Sequence, residues 1–100
     1  MLHLVNKSPS DRASLGSCLR LAAKGSAILL IEDGVYAAIS AADSAALIIS
    51  RLDDYKFYVL KEDLEVRGLS EKPLIDGIAI VDYTGFVDLA ATNDSVQSWL

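Results

Sequence analysis

Ala27-Ile28-Leu29-Leu30-Ile31-Glu32-Asp33-Gly34 is the stretch on which the fold turns. Its apolar residues run without a polar interruption, as in a strand covered on both faces, and two acids and a glycine then stop it. A strand of that kind belongs to a parallel sheet, because helical crossovers supply the cover. The flanking sequence repeats the pattern. Leu2-His3-Leu4-Val5 is a short apolar run closed by Asn6-Lys7, and Phe57-Tyr58-Val59-Leu60 is rich in aromatic and β-branched types. Ile78-Ala79-Ile80-Val81 follows the turn dipeptide Asp76-Gly77.

Helical spacing fills the gaps. Ser8-Pro9-Ser10-Asp11 has a capping-box pattern with proline in the first helical position. The helix it opens is striped by Leu15, Cys18, Leu19 and Ala22 and ends at Lys24-Gly25. Val35, Ala38, Ile39 and Ala42 return to this spacing, and Ser40-Ala41-Ala42-Asp43 is a second capping box. One long helix or two short ones are therefore expected from Gly34 to Arg51, with Ala45, Ile48, Ile49 and Leu52 as an apolar stripe. Lys61-Glu62-Asp63 leads into a short helix that Gly68 stops, and Tyr83, Phe86, Val87 and Ala90 stripe a last one closing near Asn93. The alternation predicts right-handed βαβ units and an α/β fold with a mostly parallel sheet of four to five strands between helices.

The chain has 100 residues, 52% hydrophobic and 23% charged, which fits a single domain over residues 1–100 with no room for a second core. No apolar stretch approaches the roughly 18 to 20 residues of a membrane span. Met1 to Val5 lacks the basic lead of a signal peptide. A soluble, cytoplasmic protein without a membrane partner is expected. Fourteen acids against nine cations give a net charge of −5, the wrong sign for a face that neutralises phosphates, so direct nucleic-acid binding is not expected. A small domain cannot cover this much apolar surface alone, and Val96-Gln97-Ser98-Trp99-Leu100 puts large apolar groups where chains fray. Both features point to an oligomer.

Chemistry has few places to sit. Ligands of open parallel sheets bind beyond the carboxyl ends of the strands. There the chain carries Asp33, Asp63 and Asp82, either an acidic rim for a cation or general base, or caps and first-turn acids of the following helices. Neither GxGxxG nor GxxxxGK[ST] occurs, so no nucleotide or flavin cofactor is expected, and GxSxG is also missing. One His (His3) and one Cys (Cys18) leave no protein-only transition-metal set and no intrachain disulfide. A Cys–His pair would need His3, on the first strand, to meet Cys18, on the neighbouring helix. Cys18 is the one residue able to do nucleophilic or sulfur-carrying chemistry, yet it lies mid-helix on the apolar stripe, where the dipole does little to activate a thiol. A packed structural thiol and a reactive one both fit.

Several of these blocks together resemble the DsrH/TusB family. They are Met1-Leu2-His3 with Asn6-Lys7-Ser8-Pro9, Leu29 through Ala38, Tyr58-Val59-Leu60 with Asp63-Leu64 and Arg67-Gly68, Val81 through Leu89, and the ending Val96 to Leu100. The resemblance spans essentially the whole chain and is closer to DsrH. It implies a small three-layer sandwich and a place as the smallest subunit of a cytoplasmic heterohexamer with DsrE/TusD-like and DsrF/TusC-like partners. Such complexes pass persulfide sulfur towards a DsrC/TusE-like acceptor, in dissimilatory sulfur oxidation or in 2-thiolation of the tRNA wobble uridine. The main persulfide cysteine is implied to sit on the DsrE/TusD-like partner. Cys18 matches a cysteine of DsrH-type members, which implies the oxidation branch and makes Cys18 a candidate auxiliary persulfide acceptor. The subunit is otherwise structural, at most part of a sulfurtransferase. A different class of reading is a free-standing homo-oligomeric module binding a small ligand or protein, without sulfur chemistry.

Overall fold

The computed structural model describes residues 1–9 and 14–99. Five strands, β1 (Leu2–Val5), β2 (Ala27–Leu30), β3 (Lys56–Leu60), β4 (Ala79–Val81) and β5 (Val96–Trp99), form one sheet in the order β4-β3-β2-β1-β5. All four pairings are parallel. The α/β class and the parallel sheet read from Ala27–Ile31 are thus present, and β2 is buried at every position.

Helices α1 (Ser14–Leu21), α2 (Ala45–Ile49), α3 (Lys61–Val66) and α4 (Tyr83–Thr92) lie between the strands. From β1 to β4 the chain steps across the sheet in one direction, and right-handed crossovers put every connection of such a series on one face. That face holds the main core: Val5, Ile28, Leu30, Phe57 and Val59 from the sheet meet Leu15, Cys18 and Leu19 of α1, Ile48 of α2 and Leu64 of α3. From β4 the chain reverses to reach β5, so α4 alone lands on the second face. There Phe86, Leu89 and Ala90 pack on Leu2, Ala27 and Leu29. The result is three layers, one of them a single helix.

One local alternative is decided and two expectations need correction. Between Gly34 and Arg51 the second of the two expected arrangements forms, two short pieces rather than one long helix: a 3₁₀ segment (Glu32–Ala38) and the five-residue α2. Ile39 is extended (φ −73°, ψ 130°) and bridges antiparallel to Leu74. Ser40 N–H donates to Pro73 C=O (2.9 Å) and Ile75 N–H to Ala38 C=O (2.9 Å), so hydrogen bonds to the 73–75 loop replace those a longer helix would make. The apolar segment at Val96–Trp99 is no frayed end: it pairs with β1, Leu2 opposite Val96 and Val5 opposite Trp99. On α4, Tyr83 and Val87 lie outside the packed stripe and are 62% and 50% exposed. The Ser8-Pro9-Ser10-Asp11 capping box lies partly outside the described residues, as does Leu100.

One glycine positions the carboxyl edge. A Cβ at Gly34 would overlap the carbonyl oxygen of Val5, where the 3₁₀ segment presses onto the end of β1. Only glycine allows that approach.

Candidate functional site at the carboxyl edge of the sheet

The acidic residues beyond the strand ends do not form an open cluster. Glu32, directly after β2, has φ +50°, a left-handed conformation unusual for a residue with a side chain. Its backbone N–H donates to Asp63 Oδ2 at 2.6 Å. Arg67, one turn along α3 from Asp63, donates from Nε to Asp33 Oδ1 at 3.0 Å and reaches Asp63 Oδ1 at 3.6 Å. One guanidinium therefore joins the β2 and β3 connections. The i, i+4 spacing of Asp63 and Arg67 was the available sequence signal for part of this clamp. Asp82 caps α4, its Oδ1 accepting from Gly85 N–H at 2.8 Å, while Glu62 Oε2 accepts from Tyr83 N–H at 3.1 Å. Of the two readings of the rim, caps and structural partners describe the geometry. Among the described residues no three His, Cys, Asp or Glu side chains converge.

Beside this clamp lies a groove of about 650 Å³, walled by Pro9, Tyr36, Ile39, Leu69 and Pro73 with Lys72 at its rim. Its lining is apolar with serine hydroxyls and one ammonium. It contains no thiol and no imidazole.

The two candidate chemical residues lie elsewhere, under α1. Cys18 is fully buried in the main core, and burial pushes its thiol up to about 12. At neutral pH the thiolate fraction is then on the order of one in 10⁵. His3 is 3% exposed. Its Nδ1 accepts from Trp99 Nε1 at 3.0 Å, which leaves the ring proton on Nε2, and Nε2 has no partner among the described residues. Burial also holds the imidazole below its ordinary pKa. Cys18 and His3 share one face of the sheet but do not hydrogen-bond, so no Cys–His pair is formed.

A buried phenol fastens the same helix. Tyr55 Oη lies 3.0 Å from Leu19 C=O and 2.8 Å from Ala22 C=O, covering carbonyls that the end of α1 leaves open. Arg51 Nη2 donates to that oxygen at 2.9 Å. No sequence pattern announced Tyr55, because its contact spans more than thirty residues.

Residues 7–96 match the family model of DsrH-like proteins. The chain belongs to the DsrH-like family. It is 41% identical over 99 residues to Protein TusB of Erwinia tasmaniensis, covering 99% of this chain and 100% of that one. To Protein TusB of Escherichia coli K12 it is 39% identical over 101 residues, again covering 99% and 100%. Among solved structures it is similar to the ychN protein of E. coli, with a TM-score of 0.81, 22% identity and 97% coverage of both chains. A protein of unknown function from Methanobacterium thermoautotrophicum has a TM-score of 0.75 at 15% identity, covering 97% of this chain and 95% of that one. These two likenesses are of fold. For this DsrH-like chain, the quoted blocks Leu29–Ala38 and Val81–Leu89 contain Gly34 and the cap Asp82, residues that hold the edge together. No helix among the described residues is long and apolar enough to cross a membrane.

Proposed function

We propose that this chain is the DsrH/TusB-type subunit of a sulfur-relay complex and that it serves there as a scaffold, the transferred sulfur being carried by partner subunits of the DsrE/TusD and DsrF/TusC kinds. The family supports the relay role. The burial of Cys18 carries the scaffold role: persulfide transfer needs a thiolate that meets its donor, and this thiol is both protonated and enclosed. The cytoplasm, heterohexameric assembly and delivery to a DsrC/TusE-like acceptor belong to the same reading. Between the two branches, relatives named TusB at about 40% identity over the whole chain favour tRNA wobble-uridine 2-thiolation over sulfur oxidation. The cysteine at position 18 had favoured the latter.

The test is intact mass after exposure to a low-molecular-weight persulfide donor, for the chain alone and assembled with both partners. Sulfur is expected on a partner and none on this chain. A reductant-sensitive gain of sulfur on this chain, lost in Cys18→Ser, would instead make Cys18 an auxiliary acceptor. A stable homo-oligomer that ignores both partners would establish the free-standing binding module.

A further inference from the structure

From the way the sheet is covered, we infer that the outer side of α4 is a docking face for a protein subunit whose own contact surface is apolar and rimmed by Lys and Arg. The inference rests on the scaffold reading above and adds where the partner sits and what it must present.

Three observations meet there. The topology leaves α4 as the only helix on its face of a five-stranded sheet. That helix has no buried residue, and its exposed positions are Tyr83, Thr84, Val87, Asp88, Ala91 and Thr92, an apolar stripe beside a single charge. With Phe86, Leu89 and Ala90 turned to the sheet, Tyr83, Val87 and Ala91 form a second apolar stripe on the outer side, and a helix with apolar stripes on two sides is ordinarily covered on both. The other layer also exposes large apolar side chains, among them Leu21, the pair Leu47 and Ile49, and Val66, but they are spread over α1, α2 and α3, close in sequence to Arg20, Arg51 and Arg67.

Charge selects the occupant. Every Lys and Arg of the chain precedes Pro73, while Asp76, Asp82, Asp88 and Asp94 all follow it. The segment that builds this face thus holds most of the net charge of −5 without an internal counter-ion. Asp82 and Asp94 bracket α4, and Asp88 lies on its exposed side. Among the strand residues only Lys56 of β3 puts a cation on this side of the sheet, by its register with Ala27. A second copy docked through α4 would set like carboxylates together, which disfavours self-association. A partner with cations around an apolar centre gains both steering and contact area, with Tyr83 and Val87 as the anchors.

The experiment uses the full chain co-expressed with its DsrE/TusD-like and DsrF/TusC-like subunits. Val87→Glu is expected to weaken assembly about thirty-fold, as loss of a central contact does, with the melting temperature of the free chain unchanged. Val66→Glu, on α3 of the opposite layer and 80% exposed, is expected to assemble like the parent. Asp88→Lys is expected to weaken assembly and to flatten its loss with added salt. Assembly of Val87→Glu at parental affinity overturns the docking face while leaving the scaffold role intact. Loss in Val66→Glu instead moves the interface to the other layer. A homodimer of the free chain that Val87→Glu dissolves overturns the choice of occupant. Failure of the parent chain to join either subunit removes the scaffold reading and this inference together.

Discussion

Asp63 holds the backbone of Glu32: the carboxylate of one accepts the N–H of the other at 2.6 Å, across thirty-one residues of sequence. Glu32 sits there at φ +50°, so the bond keeps a turn that its own side chain disfavours. Asp63→Ala is expected to lower stability by about 1 to 3 kcal/mol, the range for removing a charged acceptor. Glu32→Gly is expected to leave stability within about 1 kcal/mol or raise it, because the relief of strain offsets the freedom gained by the unfolded chain. Urea unfolding of both variants checks this. A loss well above that figure in Glu32→Gly would show that the turn carries no strain.

The glycines of the chain should respond in opposite directions. Gly34→Ala drives a methyl into the Val5 carbonyl and is expected to remove about 3 kcal/mol or more. Gly16→Ala, in α1 with nothing among the described residues within 4 Å of the added carbon, is expected to stabilise by about 0.5 to 1 kcal/mol. Thermal unfolding of the pair decides it. Equal effects would mean that the 3₁₀ segment can move off β1.

Cys18 should behave as a packed thiol. Labelling by a disulfide reagent is expected to be slow in the native chain and fast in urea, and Cys18→Ser to destabilise by about 1 to 3 kcal/mol. The pH dependence has a definite sign. The folded thiol stays protonated up to about 12, against an ordinary 9.0, so between those values the unfolded state binds fewer protons and stability falls as pH rises. Cys18→Ala should flatten that decline, and an unchanged slope would place its origin elsewhere.

His3 has the opposite sign, as a base held below its ordinary 6.5. Below that value the unfolded chain takes up a proton that the folded chain resists, so stability is full above it and falls on acidification. Protonation would also turn Nδ1 from acceptor to donor and deprive Trp99 of its partner. Because Trp99 is the only tryptophan, its emission should report the event directly. Urea midpoints and emission spectra between about pH 7 and 5 test this, with His3→Phe expected to remove the acid dependence within that window.

Apolar runs made most of the sheet legible in advance. Residues 27–31 read as a doubly covered strand, and three similar runs supplied its neighbours. Val96–Trp99 escaped because Gln97 and Ser98 interrupt the run, and an edge strand needs no continuous burial. Periodicity left one long helix or two short ones open from Gly34, and it could not choose between them: Ser40 donates to Pro73 and Ala38 accepts from Ile75, in a loop more than thirty residues away. At the site, Asp82 was recognisable as a cap from its position before α4. Asp63 and Arg67 reach across to Glu32 and Asp33, and such contacts appear only once β2 and β3 lie side by side.

The pairing of β1 with β5 has a consequence for the order of folding. Leu2 meets Val96 only by closing a loop of about ninety residues, which makes this ladder the least local contact in the sheet. Until it closes, the outer side of β1 is an open edge of apolar residues, a template for pairing with another chain. Once it closes, β5 becomes the edge instead, with Gln97 and Ser98 at its centre. The late-closing ladder therefore exchanges an aggregation-prone border for a more polar one.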